Sequence, residues 1–356
     1  MKPIERPIVE CVPNFSEGRD RHVIGQIAAS VASVEGVQLL HVDSGEAAHR
    51  TVITFVGEPQ AVSEAAFRAV RTAGQLIDMR QHHGAHPRIG ATDVLPLIPV
   101  SGITLAECAE LARLLAQRIA AELHIPCYAY EAAALRPEHR NLANCRRGDY
   151  ERLPQRMQDA VEQPDYGARP FDGAMARTGC TVVGARNFLI AVNFNLNTTS
   201  TAIANAIAFD VREKGRPLRD GDPASGPVRH DAGGHVVMQP GTLKGTKALG
   251  WFIDEYGIAQ VSMNITDIGA TSLHKAFLEV SRCAERRGVR VTGTEIIGLV
   301  PKHVLTDAGR YFLQQLGRPA DVSDDKLIRQ AIDSMGLSEL RPYNPKERVI
   351  EFLMEE

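Results

Sequence analysis

Three of the 12 histidines fall within five residues, in the run Gln81-His82-His83-Gly84-Ala85-His86-Pro87-Arg88-Ile89-Gly90. Imidazole titrates nearer neutrality than other side chains, so a histidine here can take and return a proton at pH 7. His82 and His86 are also four apart, the spacing of two zinc ligands on a helix. Gly84 between them and Pro87 behind them oppose a helix, because the residue before proline avoids helical backbone. No HExxH and no nearby carboxylate completes a metal set. An idle polar surface loop is the plain reading of any single histidine. Three of them beside Arg88, in a loop shaped by glycine and proline, favour catalysis.

Four further residues stand where polar groups converge. Asp43 ends one expected strand and Arg50 opens the next. Arg pairs bidentately with carboxylates, although an exposed ion pair at that place is worth little. Asn193 and Asn195 alternate with Val192, Phe194 and Leu196, so one face of their strand is polar, toward either solvent or a ligand.

The elements that must position these groups follow from periodicity. Strands are expected over residues 8–12, 37–42, 51–56, 94–100 and 127–130, and helices over 20–34, 59–77 and 104–123. Pro96 and Pro99 mark the fourth of these strands as an edge or a strand end. The core of this order is β-α-β-β-α-β, the ferredoxin-like motif. It returns in strands 188–196, 248–252, 258–264 and 289–294 with helices 199–213 and 272–287. The fold class is therefore α+β, with two ferredoxin-like subdomains, residues 1–187 and 188–356. Residues 141–178 and 214–240 are irregular, and loops of that length are commonly functional or disordered.

Composition narrows the function classes. The 356 residues carry 40 Lys and Arg against 43 Asp and Glu, a net charge of −3, without the basic footprint of a nucleic-acid or membrane-surface binder. No apolar run approaches the roughly 20 residues needed to cross a bilayer, and the charged, proline-bearing N-terminus does not resemble a signal peptide. Six scattered cysteines without a CxxC suit reduced thiols in a cytoplasm. No GxxxxGK[ST], no GxGxxG opening a helix and no GxSxG elbow is present, which argues against nucleotide and serine-hydrolase chemistry.

With these residues in view, the sequence resembles the formiminotransferase (glutamate formimidoyltransferase) family along nearly its whole length. The resemblance rests on Val9-Glu10-Cys11-Val12-Pro13-Asn14-Phe15-Ser16-Glu17-Gly18, on Arg50-Thr51-Val52, on Phe55-Val56-Gly57 and on Leu76-Ile77-Asp78-Met79. It continues in residues 82–90, in Gly184-Ala185-Arg186-Asn187-Phe188-Leu189, in residues 259–264 and in Pro345-Lys346-Glu347-Arg348.

The resemblance implies a folate cleft between the sheets of two subdomains, and transfer of a formimino group from N-formimino-L-glutamate to N5 of tetrahydrofolate in histidine degradation. It makes His86 the catalytic histidine and puts the folate-binding loop on residues 167–179, with Gly167, Ala168, Arg169 and Gly179. For acid-base catalysis by His86, Asp43 is the candidate to orient the imidazole, and Arg50, Arg88 and Arg186 are the candidates for substrate carboxylates, since Arg pairs with them bidentately. Asn193 and Asn195 suit a polar heterocycle. Residues 214–240 resemble an insertion of bacterial members. Tetrahydrofolate is then a co-substrate, with no metal required. A homodimer through the N-terminal lobe is implied, as is a separate cyclodeaminase downstream, with no nucleic-acid or membrane partner. A metal-dependent C–N hydrolase built on His82, His83 and His86, and a non-catalytic folate-binding protein, are the rival readings.

Overall fold

In the first half Val9 and Cys11, Ile53 and Phe55, and Leu95 and Leu97 each stand two residues apart, so that each strand turns a row of apolar side chains to the helices. The computed structural model describes residues 6–46, 49–84, 87–221 and 225–354; the expected base His86 lies outside them. Two compact units result, residues 1–187 and 188–356.

In unit 1 the order is β1 (Ile8–Cys11), β2 (Asn14–Phe15), α1 (Arg21–Ala32), β3 (Val37–Gly45), β4 (Arg50–Gly57), α2 (Pro59–Leu76), β5 (Thr92–Ser101), α3 (Leu105–Arg118) and β6 (Cys127–Glu131). Three short helices, α4 (Leu142–Cys145), α5 (Leu153–Arg156) and α6 (Gly173–Thr178), lead to β7 (Thr181–Ala185). Asp20 caps α1 by accepting the amides of His22 and Val23, and Thr104 and Glu107 close a capping box on α3. Val9, Cys11, Ile53, Phe55, Leu95 and Leu97 form the core with the apolar stripes of α1, α2 and α3. The sheet runs β3-β4-β1/β2-β5-β7-β6, antiparallel as far as β5 and parallel beyond it.

The prolines of β5 do not put it at an edge: it lies between β1 and β7. Pro99 sits where the register with β1 breaks between Ile8 and Val9, and Pro96 serves as an acceptor, its carbonyl taking the Val12 amide at 3.3 Å. Neither position depends on a donated N–H, the group that proline lacks.

Unit 2 contains β8 (Ile190–Leu196), α7 (Thr201–Val211), the two-residue ladder of β9 (Arg216–Pro217) and β10 (Met238–Gln239), β11 (Thr246–Ile253), β12 (Ile258–Ile265), α8 (Leu273–Glu285) and β13 (Val291–Ile297). Ser200 caps α7 through the Ile203 amide at 3.3 Å. The main sheet is fully antiparallel in the order β11-β12-β8-β13, so the β-α-β-β-α-β order of unit 1 recurs with the same neighbours. Val192, Phe194, Val261 and Met263 face α7 and α8 in the core.

Beyond β13 lie α9 (Lys302–Gln315) and α10 (Asp324–Met335), then the short α11 (Pro345–Arg348) and α12 (Ile350–Met354). Helix α10 ends at the left-handed Gly336, whose carbonyl takes the Thr294 amide at 3.1 Å and ties the helix to β13. No helix among the described residues is long and apolar enough to cross a membrane.

Candidate active site

Two sequence runs interlock at one end of the first sheet. In the run 12–18, Asn14 accepts from Arg50 Nε at 3.0 Å, and Phe15 is buried in the core. Ser16 gives its hydroxyl to Gly90 O at 2.7 Å and its amide to Ala91 O at 2.9 Å. In the run 87–94, the Ala91 amide reaches Thr178 O at 2.8 Å, and Gly90 bridges to Gly179. A Cβ on Gly90 would stand 2.2 Å from Cys180 O, and one on Gly179 2.2 Å from Ile89 O. Both positions require glycine because two backbones touch there.

Asp93, 0% exposed, is the ionic centre. Its Oδ2 lies 2.5 Å from Arg50 Nη1 and 2.7 Å from Arg146 Nη2. Its Oδ1 accepts from Arg146 Nε and from the Ile89 amide, both at 3.1 Å. Burial pulls the Arg50 guanidinium below its ordinary value; Asp93 opposes this and Arg146 adds to it.

Arg88 makes a bidentate pair with Glu151, at 2.8 and 2.5 Å, which lowers the Glu151 carboxyl. Its Nε also donates to His82 Nδ1 at 3.2 Å, while His82 Nε2 donates to His49 O at 2.9 Å. An arginine only donates and a carbonyl only accepts, so His82 is the neutral Nε2–H tautomer with its lone pair taken. Burial lowers its pKa accordingly. This geometry weighs against His82 as a metal ligand.

His49, at φ 48°, stacks on His82 with centroids 4.3 Å apart. It spans from His83 O at 3.0 Å to Glu17 Oε1 at 3.1 Å. The same Glu17 oxygen accepts the amides of Gly18, Arg19 and Asp20 at 2.8–3.0 Å. Burial alone would raise the Glu17 carboxyl, but these amides and the His49 ring hold it below its ordinary value.

The other expected site residues are placed as follows. Asp43 is exposed on β3, in a row with Val52 and Asn14, and therefore shares a sheet face with Asn14 and Arg50. Arg186 continues β7, with its amide on Leu97 O at 3.1 Å, and its guanidinium bonds the Tyr130 hydroxyl. Gly167, at φ 68°, packs on Ala120. Ala168 and Arg169 line a cavity of about 540 Å³ with Pro154, Met157 and Phe171. Arg169 is held by Asp172 and by His124 O. Of this loop, Thr178 and Gly179 touch the residue 87–94 run, through the Ala91 amide and the bridge to Gly90.

In unit 2, Asn193 bonds Glu295 at 3.1 Å, and Asn195 bonds Glu339 at 2.5 Å and Gln260 at 2.8 Å; Gln260 in turn accepts from Trp251 Nε1 at 3.0 Å. Glu339 crosses Gly293, where a Cβ would stand 2.4 Å from its carboxylate.

Sequence reasoning missed Glu17, Asp93, Arg146 and Glu151. Glu17 lay inside the run 9–18 already singled out, Asp93 three residues beyond the run 82–90, and Arg146 and Glu151 in the irregular stretch 141–178.

The chain matches the formiminotransferase domain, N-terminal subdomain, over residues 8–186 and the formiminotransferase domain over residues 191–355. It is 43% identical to a formimidoyltransferase-cyclodeaminase of Sus scrofa over 98% of this chain and 60% of that protein. It is 41% identical to a glutamate formimidoyltransferase of Streptococcus pyogenes serotype M1, over 86% of this chain and 93% of that one. With the protein named glutamate formimidoyltransferase from Thermoplasma acidophilum it shares 37% identity over 87% and 93%. The chain thus spans about 60% of the length of its animal relatives. With both halves matched, this chain belongs to the formiminotransferase family.

Proposed function

We propose that the protein is a glutamate formimidoyltransferase, moving the formimino group of N-formimino-L-glutamate to N5 of tetrahydrofolate and releasing L-glutamate. The observation that carries this reading is the 41% identity to a whole bacterial glutamate formimidoyltransferase, 93% of which is covered. N5 attacks the formimino carbon to give a tetrahedral intermediate. His86 takes the N5 proton and returns it to the departing glutamate nitrogen, so that the C–N bond breaks with its electron pair on nitrogen. Asp43 orients the imidazole and favours its charged form. Arg50, Arg88 and Arg186 are the candidates for substrate carboxylates, residues 167–179 for the folate, and Asn193 and Asn195 for its heterocycle.

Tetrahydrofolate serves as co-substrate and no metal takes part. Both units are read as ferredoxin-like, a reading supported by their shared strand order. A cytoplasmic homodimer acting in histidine degradation belongs to the same proposal.

The test incubates the protein anaerobically with tetrahydrofolate and N-formimino-L-glutamate, with and without EDTA. Glutamate release and formimino-tetrahydrofolate, read as methenyl-tetrahydrofolate after acid, are followed together. Stoichiometric transfer unaffected by EDTA is expected. His86→Ala should lower kcat by about 10²–10⁴-fold while folate binding persists. Glutamate released without folate, and blocked by EDTA, would overturn the reading.

A further inference from the structure

The arginines of the first unit differ in charge balance. Arg88 and Glu151 are one cation on one anion, joined through two hydrogen bonds. Arg50 and Arg146 are two cations on the single carboxylate of Asp93. That carboxylate has no capacity left, because two arginine contacts on Oδ2 and an arginine and an amide on Oδ1 fill both oxygens.

Asp149 also acts on Arg146 and Arg88 through space, but among the described contacts Asp93 is the carboxylate that bonds both Arg50 and Arg146. The two side chains are 11% and 13% exposed, so the pair reaches the surface along a narrow front. Arg50 Nε is fixed by Asn14, and no described residue accepts from Arg50 Nη2 or Arg146 Nη1. Two guanidinium groups gathered on one carboxylate, each with an Nη that no described residue accepts from, suit a second carboxylate from a ligand.

We propose that Arg50 and Arg146, bracketed on Asp93, form a carboxylate-binding subsite in which Arg146 is a binding residue and Asp93 a positioning residue. The Ile89 amide on Asp93 ties this subsite to the chain three residues beyond His86. The assignment to a substrate rests on the transferase reading above. The carboxylate belongs either to the amino-acid donor or to the glutamate tail of the folate. Arg88, already paired through two hydrogen bonds with Glu151, has the weaker claim on a substrate carboxylate.

Calorimetry with L-glutamate and glutarate as probes tests the subsite without requiring turnover. Wild-type protein is expected to bind both, and Arg146→Gln to weaken both by about tenfold or more, the loss of a charge-assisted pair. Arg146→Lys keeps the charge on Asp93 and guards against a folding defect; it should bind with intermediate affinity.

In turnover, a raised KM for formiminoglutamate with kcat nearly unchanged assigns the donor. A raised KM for tetrahydrofolate, absent with an acceptor lacking the glutamate tail, assigns the folate. Unchanged binding and unchanged KM values in both variants, or a fall in kcat alone, would overturn the subsite. Wild-type protein that binds glutamate but transfers nothing would overturn the transferase reading and leave the subsite standing.

Discussion

The two units have the same order of strands and helices, yet they put opposite chemistry on the sheet face away from the helices. Unit 1 carries ions there and at the adjoining sheet end: Arg50 and Arg146 on Asp93, Arg88 on Glu151, and the Glu17 carboxylate beside the His49 ring. Unit 2 carries a row of amides, Asn195 and Gln260 with Asn193 beside them, steadied by Glu339, Glu295 and Trp251. Topology alone therefore does not decide what a face can bind. A charged face selects ions and gains strength as water is excluded. An amide row reads donors and acceptors, and among the described contacts its titratable partners are the Glu295 and Glu339 carboxylates.

The largest effect that would break this contrast is at Asp93. Asp93→Asn leaves two arginines on a neutral group and should cost about 3–5 kcal/mol in urea denaturation, as for other broken buried ion pairs. In unit 2, Asn195→Leu leaves Gln260 and Glu339 without their partner and should cost about 1–3 kcal/mol. Equal losses would mean that the ion network is no more demanding than the amide row.

The smallest effect concerns pH. The folded His82 pKa lies below its ordinary 6.5, so its contribution is complete above pH 6.5 and is lost as pH falls from there toward the lower folded value. Glu17, whose folded value lies below its ordinary 4.5, adds a second loss at lower pH. His82→Gln should flatten the stability profile just below pH 6.5 and leave the lower phase in place. A slope that survives this substitution would assign it to another group.

Much of the frame was legible because short-range rules govern it. Asp20, Thr104 and Ser200 cap the helices that follow them, and core residues two apart, such as Val9 and Cys11 or Val192 and Phe194, mark the inward face of strands in both halves. The parallel strand β7 escaped notice because it is buried on both faces and contains Gly184, so it shows no alternation. Pro96 and Pro99 misdirected the reading of β5, since only the register shows that neither must donate a hydrogen bond. Helices α9 and α10 were also unanticipated. Within the site, Arg50 and Arg88 stood out by type and place. Arg146 and Glu151 did not, because what gives them meaning is a partner 53 or 63 residues away.

Those separations have a consequence for how the protein is made. Ser16 meets Gly90 across 74 residues, Arg50 meets Asp93 across 43, and Arg88 meets Glu151 across 63. Each closure carries an entropic cost that is recovered only when its partner arrives. A nascent chain that has emerged to about residue 100 already holds Arg50 and Asp93 but not yet Arg146 or Glu151. The ion cluster therefore cannot close before residues 146–151 have emerged, and the sheet beside it still waits for β7, 30 residues beyond Glu151, to join β5 to β6.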